Sequence, residues 1–125
     1  YMRLAEMYLI AAEALARNNQ EAASKTLFTT LMQNRNPSYV QSTSTGATYI
    51  SEILNSRRLE LWGEGFRWFD LKRLNLPLVR NDSGSNHVST VINNVWTVPA
   101  TDNRWTLLIP INEMQNNSLC TQNPI

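Results

Sequence analysis

The sequence predicts a mainly α fold, built of a helical hairpin plus further helices and long irregular loops. Three observations predict it. Apolar residues recur at helical spacing from Tyr1 to Arg17 and resume from Glu21 to Asn34. A dense segment from Arg57 to Arg73 sets charged residues three and four apart among the rings of Trp62, Phe66, Trp68 and Phe69. The stretches between and after these runs are rich in Asn, Ser, Thr, Gly and Pro, whose side chains and backbones compete with regular structure.

Leu4, Tyr8, Ala11 and Leu15 form one apolar row of the first helix, and Met2, Ala5, Leu9, Ala12 and Ala16 a second. Two rows imply two neighbours. Asn18-Asn19 marks a turn, after which Ala22, Leu27, Leu31 and Met32 carry an antiparallel partner helix. The product is a hairpin of tetratricopeptide-like type, although one hairpin is not a repeat. From Asn36 to Thr48 the composition predicts a surface loop, with Thr48 able to cap a third helix through Tyr49, Ile50, Ile53 and Leu54. Gly63 and Gly65 should interrupt that helix, leaving Phe66 to Leu74 as a short separate one. Trp62, Phe66 and Phe69 at i, i+4 and i+7 read as one apolar face, and these rings with Trp68 as core. Pro77 closes the helical region. Val79 to Asn103 is loop-rich, with short extended pieces expected at Val88 to Ile92 and Val95 to Val98. Pro110 is placed as the first residue of a short terminal helix before Gln122-Asn-Pro-Ile.

A chain of 125 residues is sized for one domain, residues 1–125, with enough surface to bury a core. The formal charge of +1, with eleven basic and ten acidic residues interspersed, argues against nucleic acid as a partner. Cys120 is the single cysteine, which excludes an internal disulfide and a multi-cysteine metal cage. No apolar run approaches the roughly 20 residues that span a bilayer. The chain opens inside a helical pattern without a leader-like segment, so we expect a C-terminal piece of a longer protein.

Catalytic chemistry finds little to work with. Glu60 and Glu64 are the one carboxylate pair that suggests a glycosidase, but Arg57 and Arg67 lie three residues from one acid each and favour ion pairing. Asp70 with Lys72 and Arg73 reads as a solvated or locally paired cluster. His87 stands in a polar loop with no catalytic arrangement around it, and Gly63-Glu-Gly65 follows a helix and lacks a third glycine, which argues against a phosphate loop. No catalytic, metal or cofactor residue is expected, and the chain is not read as an enzyme. Aromatic faces are also what sugar rings stack on, and Trp96 and Tyr39, in loop-like surroundings, are the candidate ligand-binding residues.

Three blocks together resemble the C-terminal region of the SusD/RagB family of outer-membrane nutrient-binding lipoproteins. They are Tyr-Met-Arg-Leu-Ala-Glu-Met-Tyr-Leu-Ile-Ala-Ala-Glu-Ala-Leu-Ala at 1 to 16, the segment from 57 to 73, and Ile-Pro-Ile-Asn-Glu-Met with Gln-Asn-Pro near the end. The resemblance implies a non-catalytic, surface-exposed protein of the outer membrane. It would capture oligosaccharide, or peptide, for a SusC-like TonB-dependent transporter. It also implies a lipid anchor on an N-terminal cysteine outside this sequence, and mainly scaffold roles for the positions matched. The hairpin alone supports a different expectation, a protein-interaction module.

Overall fold

The structure, a computed structural model, describes residues 3–80 and 97–124. Its elements in order are α1 (Leu4–Arg17), α2 (Glu21–Arg35), α3 (Gly46–Glu60), α4 (Phe66–Arg73), β1 (Leu78–Val79), β2 (Thr97–Val98), a 3-10 turn (Asn103–Trp105) and α5 (Ile111–Asn116). Helix predominates, as the periodicity predicts. The chain divides into two compact units, Tyr1–Arg67 and Trp68–Ile125, with the division falling inside α4.

In the first unit, α1 packs against both α2 and α3. The turn between α1 and α2 works because Asn19 takes a φ of 58°, a left-handed conformation that asparagine tolerates. The amide of Gln20 then donates back to the Leu15 carbonyl at 2.9 Å and closes the end of α1. Ala5, Leu9 and Ala12 pack with Phe28, Leu31, Tyr49 and Ile53 in one buried cluster. Of the two rows read on α1, the one through Ala5, Leu9, Ala12 and Ala16 faces this core, and its alanines let the helices approach closely. Phe28 meets Tyr39 and Tyr49 edge-on, with centroids 6.1 and 6.0 Å apart.

One polar group sits at the centre. Ser24, fully buried on α2, donates its hydroxyl to the Ala12 carbonyl at 2.6 Å and lies 3.0 Å from the Tyr49 hydroxyl. With its one proton spent on Ala12, Ser24 accepts from Tyr49, so one side chain ties α1, α2 and α3 together. Burial pushes the Tyr49 hydroxyl's pKa up, which keeps it a donor.

The third helix starts earlier than the sequence suggests. Thr45 and not Thr48 stands at its N-cap, with no side-chain cap bond, and Gly46 has a φ of 55°. The cap comes from another helix: the Glu21 carboxylate accepts the Gly46 amide at 2.9 Å, a favourable charge for a helix start. At the far end, Gly63 and Gly65 have φ of 78° and 83°, so the helix breaks where expected and α4 begins at Phe66.

That break corrects the reading of the rings. Trp62 is 83% exposed, Phe69 67% and Trp68 39%, while Phe66 is half-buried with the Arg57 guanidinium 5.3 Å from its ring centre. The spacing of four and seven predicts one face only along a continuous helix, and two left-handed glycines destroy the register between Trp62 and Phe66.

Among the described residues of the second unit, Leu71, Val98 and Trp105 form a smaller core, with Leu78 against it. Helix α4 ends as α1 does, with Asn75 at φ 52° and the Leu76 amide on the Leu71 carbonyl at 2.9 Å. Beyond Pro77, β1 pairs antiparallel with β2, Leu78 opposite Val98 and Val79 opposite Thr97. Strand β2 falls in the extended piece expected at Val95 to Val98, whereas β1 was not anticipated; the piece at Val88 to Ile92 lies outside the described residues. Pro110 is the N-cap of α5, one position before the expected role.

Candidate functional site

The ends of the first unit's helices converge on Glu60. Its carboxylate accepts a two-pronged contact from Arg35 at 3.0 and 2.6 Å and a further one from Arg3 at 3.2 Å, and its backbone carbonyl also accepts from Arg3 at 3.2 Å. Arg3 also pairs with Glu64, and Arg57 reaches Glu6 on α1 at 3.3 Å. The acids expected to pair along their own helix are therefore drawn across to α1 and α2. A guanidinium offers a planar fork that matches a carboxylate, and Arg35 sets two prongs of it on Glu60. The hydrogen bonds from Arg35 hold the Glu60 carboxyl below its usual range, so it stays ionised. A carboxylate engaged in this way ties the ends of three helices together and carries no proton to donate as an acid.

Tyr39 lies in the polar loop after α2, half-buried with its ring edge on Phe28. Desolvation raises its hydroxyl's pKa, and its carbonyl accepts from Gln33 at 3.3 Å. The loop is anchored at two further points. The Asn36 side chain accepts the Ser38 amide at 3.0 Å, and Ser44 donates to Glu52 at 2.5 Å. Hydrogen bonds from Ser42 and then Ser44 hold the Glu52 carboxyl below its ordinary range. Trp96, the other candidate, and His87 lie outside the described residues.

In the second unit a shallow groove of about 260 Å³ is lined by Asn103, Arg104, Thr106, Leu107, Leu108 and Pro124. Its floor is held by side chains acting on backbone. Gln122 accepts the Ile109 amide at 2.8 Å and donates to the Ile109 carbonyl at 3.0 Å, while Asn123 donates to the Leu107 carbonyl at 2.7 Å. The Gln-Asn-Pro block thus acts as a substitute strand along residues 107 to 109. Trp105 donates its indole N–H to the Pro99 carbonyl at 2.6 Å, accepts Lys72 on its carbonyl at 2.9 Å, and meets the Trp68 ring at a 39° tilt with 4.6 Å between centroids. Asp102 grips Arg104 through both carboxylate oxygens at 2.8 Å, and with the Arg104 backbone amide this lowers its pKa to about 2.

Asp70 is buried and paired locally with Arg73 at 2.9 Å, not solvated. Among the described residues no three metal-ligating side chains come together, and no helix is long and apolar enough to cross a membrane. The structural roles of Ser24, Arg3, Arg35, Gln122 and Asn123 escape sequence reasoning. Only Ser24 left a signal, completing a stripe with Phe28 and Leu31 at i, i+4 and i+7.

The first unit is thus a set of packed helices cross-tied at their ends, and the second is loop-rich and stapled through its own backbone. The chain belongs to the SusD family: the model of that family, SusD_RagB, matches residues 1–125. The resemblance read from the three blocks is borne out. The chain is similar to a SusD superfamily protein from Bacteroides thetaiotaomicron VPI-5482, a crystal structure at 1.49 Å resolution, with 27% identity and a TM-score of 0.78. That match covers 99% of this chain and 27% of the other, so the chain spans about a quarter of its relative's length. No protein of curated function matches it.

Proposed function

We propose that the chain is the helical scaffold part of a longer nutrient-binding protein. In this reading the whole protein is surface-exposed at the outer membrane, lipid-anchored through sequence outside these residues, and not an enzyme. It captures oligosaccharide and passes it to a SusC-like TonB-dependent transporter. Family membership over the full chain carries the reading. The occupied state of Glu60 adds support against hydrolysis, since its carboxylate is already engaged by two guanidinium groups. Within this chain, Trp96 and Tyr39 are the proposed ligand contacts. Tyr39 has part of its ring committed to Phe28, which leaves it a minor share.

Calorimetric titration of the longer protein with a panel of oligosaccharides and peptides is the test. Saturable heat with at least one oligosaccharide, no release of reducing ends, and weak or absent affinity for residues 1–125 alone are the expected results. Binding confined to peptides would replace the ligand class, and turnover would overturn the reading.

A further inference from the structure

We propose that Glu52 is a positioning residue for ligand capture: by holding Ser42 and Ser44, its carboxylate fixes the loop, residues 36–45, that presents Tyr39. The inference rests on the proposed role of Tyr39 as a ligand contact. Both ends of the loop are held by other means. At its start the Tyr39 amide donates to the Asn36 carbonyl at 2.9 Å, and the Ser38 amide to the Asn36 side chain at 3.0 Å. At its end the Glu21 carboxylate accepts the Gly46 amide at 2.9 Å.

The middle has no such support. Among the described residues, the backbone groups of Val40, Gln41, Ser42 and Thr43 make no hydrogen bond. A segment without backbone pairing takes its conformation from its side chains. Gln41, Thr43 and Thr45 are exposed while Ser42 and Ser44 are half-buried, the two-residue period of an extended chain lying on a surface. The inward pair meets Glu52. Ser44 donates its hydroxyl to the Glu52 carboxylate at 2.5 Å, and Ser42 makes a second hydrogen bond to the same group. The Ser42 hydroxyl oxygen in turn accepts the Ser44 amide at 3.1 Å. One carboxylate thus fixes both inward side chains and, through Ser42, a backbone amide.

Charge makes this clasp firm. A hydroxyl bound to an ionised acceptor is held more tightly than one bound to a neutral group. The bonds from Ser42 and Ser44, with the nearby charge of Lys25 on α2, keep Glu52 ionised. Lys25 cannot replace it as an acceptor, and is itself paired with Glu21 at 3.0 Å, over the Tyr49 ring at 5.2 Å. The Tyr39 ring touches Phe28 by an edge, which ties the loop at one point and leaves the chain beyond it to the clasp. Without Glu52 only a fraction of molecules would present Tyr39 correctly, and ligand affinity falls by that fraction.

Hydrogen exchange of peptides spanning residues 36–45, measured by mass spectrometry on the longer protein, tests the clasp. Glu52→Ala and the double variant Ser42→Ala/Ser44→Ala should each speed exchange there by roughly 10-fold, with α1 and α2 unaffected. Ser44→Thr, which keeps the hydroxyl, should stay near the parent rate. Adding Glu52→Ala to the double serine variant should change nothing further, because the same interaction is already lost. Should Glu52→Ala fail to fold, the serine variants carry the same reading. Oligosaccharide affinity, measured by calorimetry, should fall roughly 5-fold in each loosened variant, with the melting temperature little changed. Unchanged exchange in residues 36–45, or a loosened loop with full affinity while Tyr39→Ala lowers it, would overturn the inference. Full affinity in Tyr39→Ala would instead remove Tyr39 from the proposed function, and the exchange rates would still decide whether Glu52 holds the loop.

Discussion

The unit formed by α1, α2 and α3 and the unit from Trp68 onward are ordered by different forces. The first buries seven apolar residues in one cluster and threads a single serine hydroxyl through its centre. Among the described residues the second buries three and relies on Gln122, Asn123, Lys72 and the Trp105 indole to satisfy backbone groups of an irregular chain. Apolar burial without water is worth more per side chain than a hydrogen bond exchanged with water. Equal truncations should therefore hurt the first unit more.

The largest effect is expected at Leu9, fully buried between three helices, where Leu9→Ala should cost about 3 kcal/mol in chemical denaturation. Trp68→Ala sharpens the comparison. A core tryptophan would cost about as much or more, but a ring partly in solvent and tilted against Trp105 should cost about 1–2 kcal/mol. Gln122→Ala removes two bonds to Ile109 and leaves that backbone accessible to water, so about 1 kcal/mol is expected, read as a fall in melting temperature.

Acid gives the mildest discrimination. The Glu60 carboxyl lies below its ordinary 4.5 in the folded state, so its contribution is complete above that pH and is lost as pH falls through the lowered value. Asp102 lies at about 2 against an ordinary 3.8, so its contribution drains over that lower interval. A melting temperature flat from pH 7 to 5 and declining below about 4.5 is expected. Glu60→Gln should lower the plateau and flatten the upper part of the decline.

How much could be read in advance follows the same division. The hairpin, the turn at Asn18-Asn19 and the glycine bend were legible because periodicity and turn chemistry act locally along the chain. Helical spacing predicts Trp62 and Phe69 as buried, but across that bend it no longer describes a face, and both rings are exposed. The pairing of Glu60 with Arg35 and Arg3 spans 25 and 57 positions, and no local rule selects a partner at such a distance. Gln122 escaped for a related reason. Its amide imitates a strand, and a side chain standing in for backbone leaves no period in the sequence. Of the candidate site, the loop around Tyr39 was legible as a loop, whereas its anchoring by Glu52 required the fold.

Native-state hydrogen exchange followed residue by residue tests the central claim most directly, that apolar burial orders the first unit and side-chain bonds to backbone order the second. Amides around Leu9, Phe28 and Ile53 should exchange only through global unfolding, while that of Ile109 should open at lower cost and accelerate selectively in Gln122→Ala. Protection of Ile109 equal to that of Leu9, unchanged by Gln122→Ala, would contradict the account.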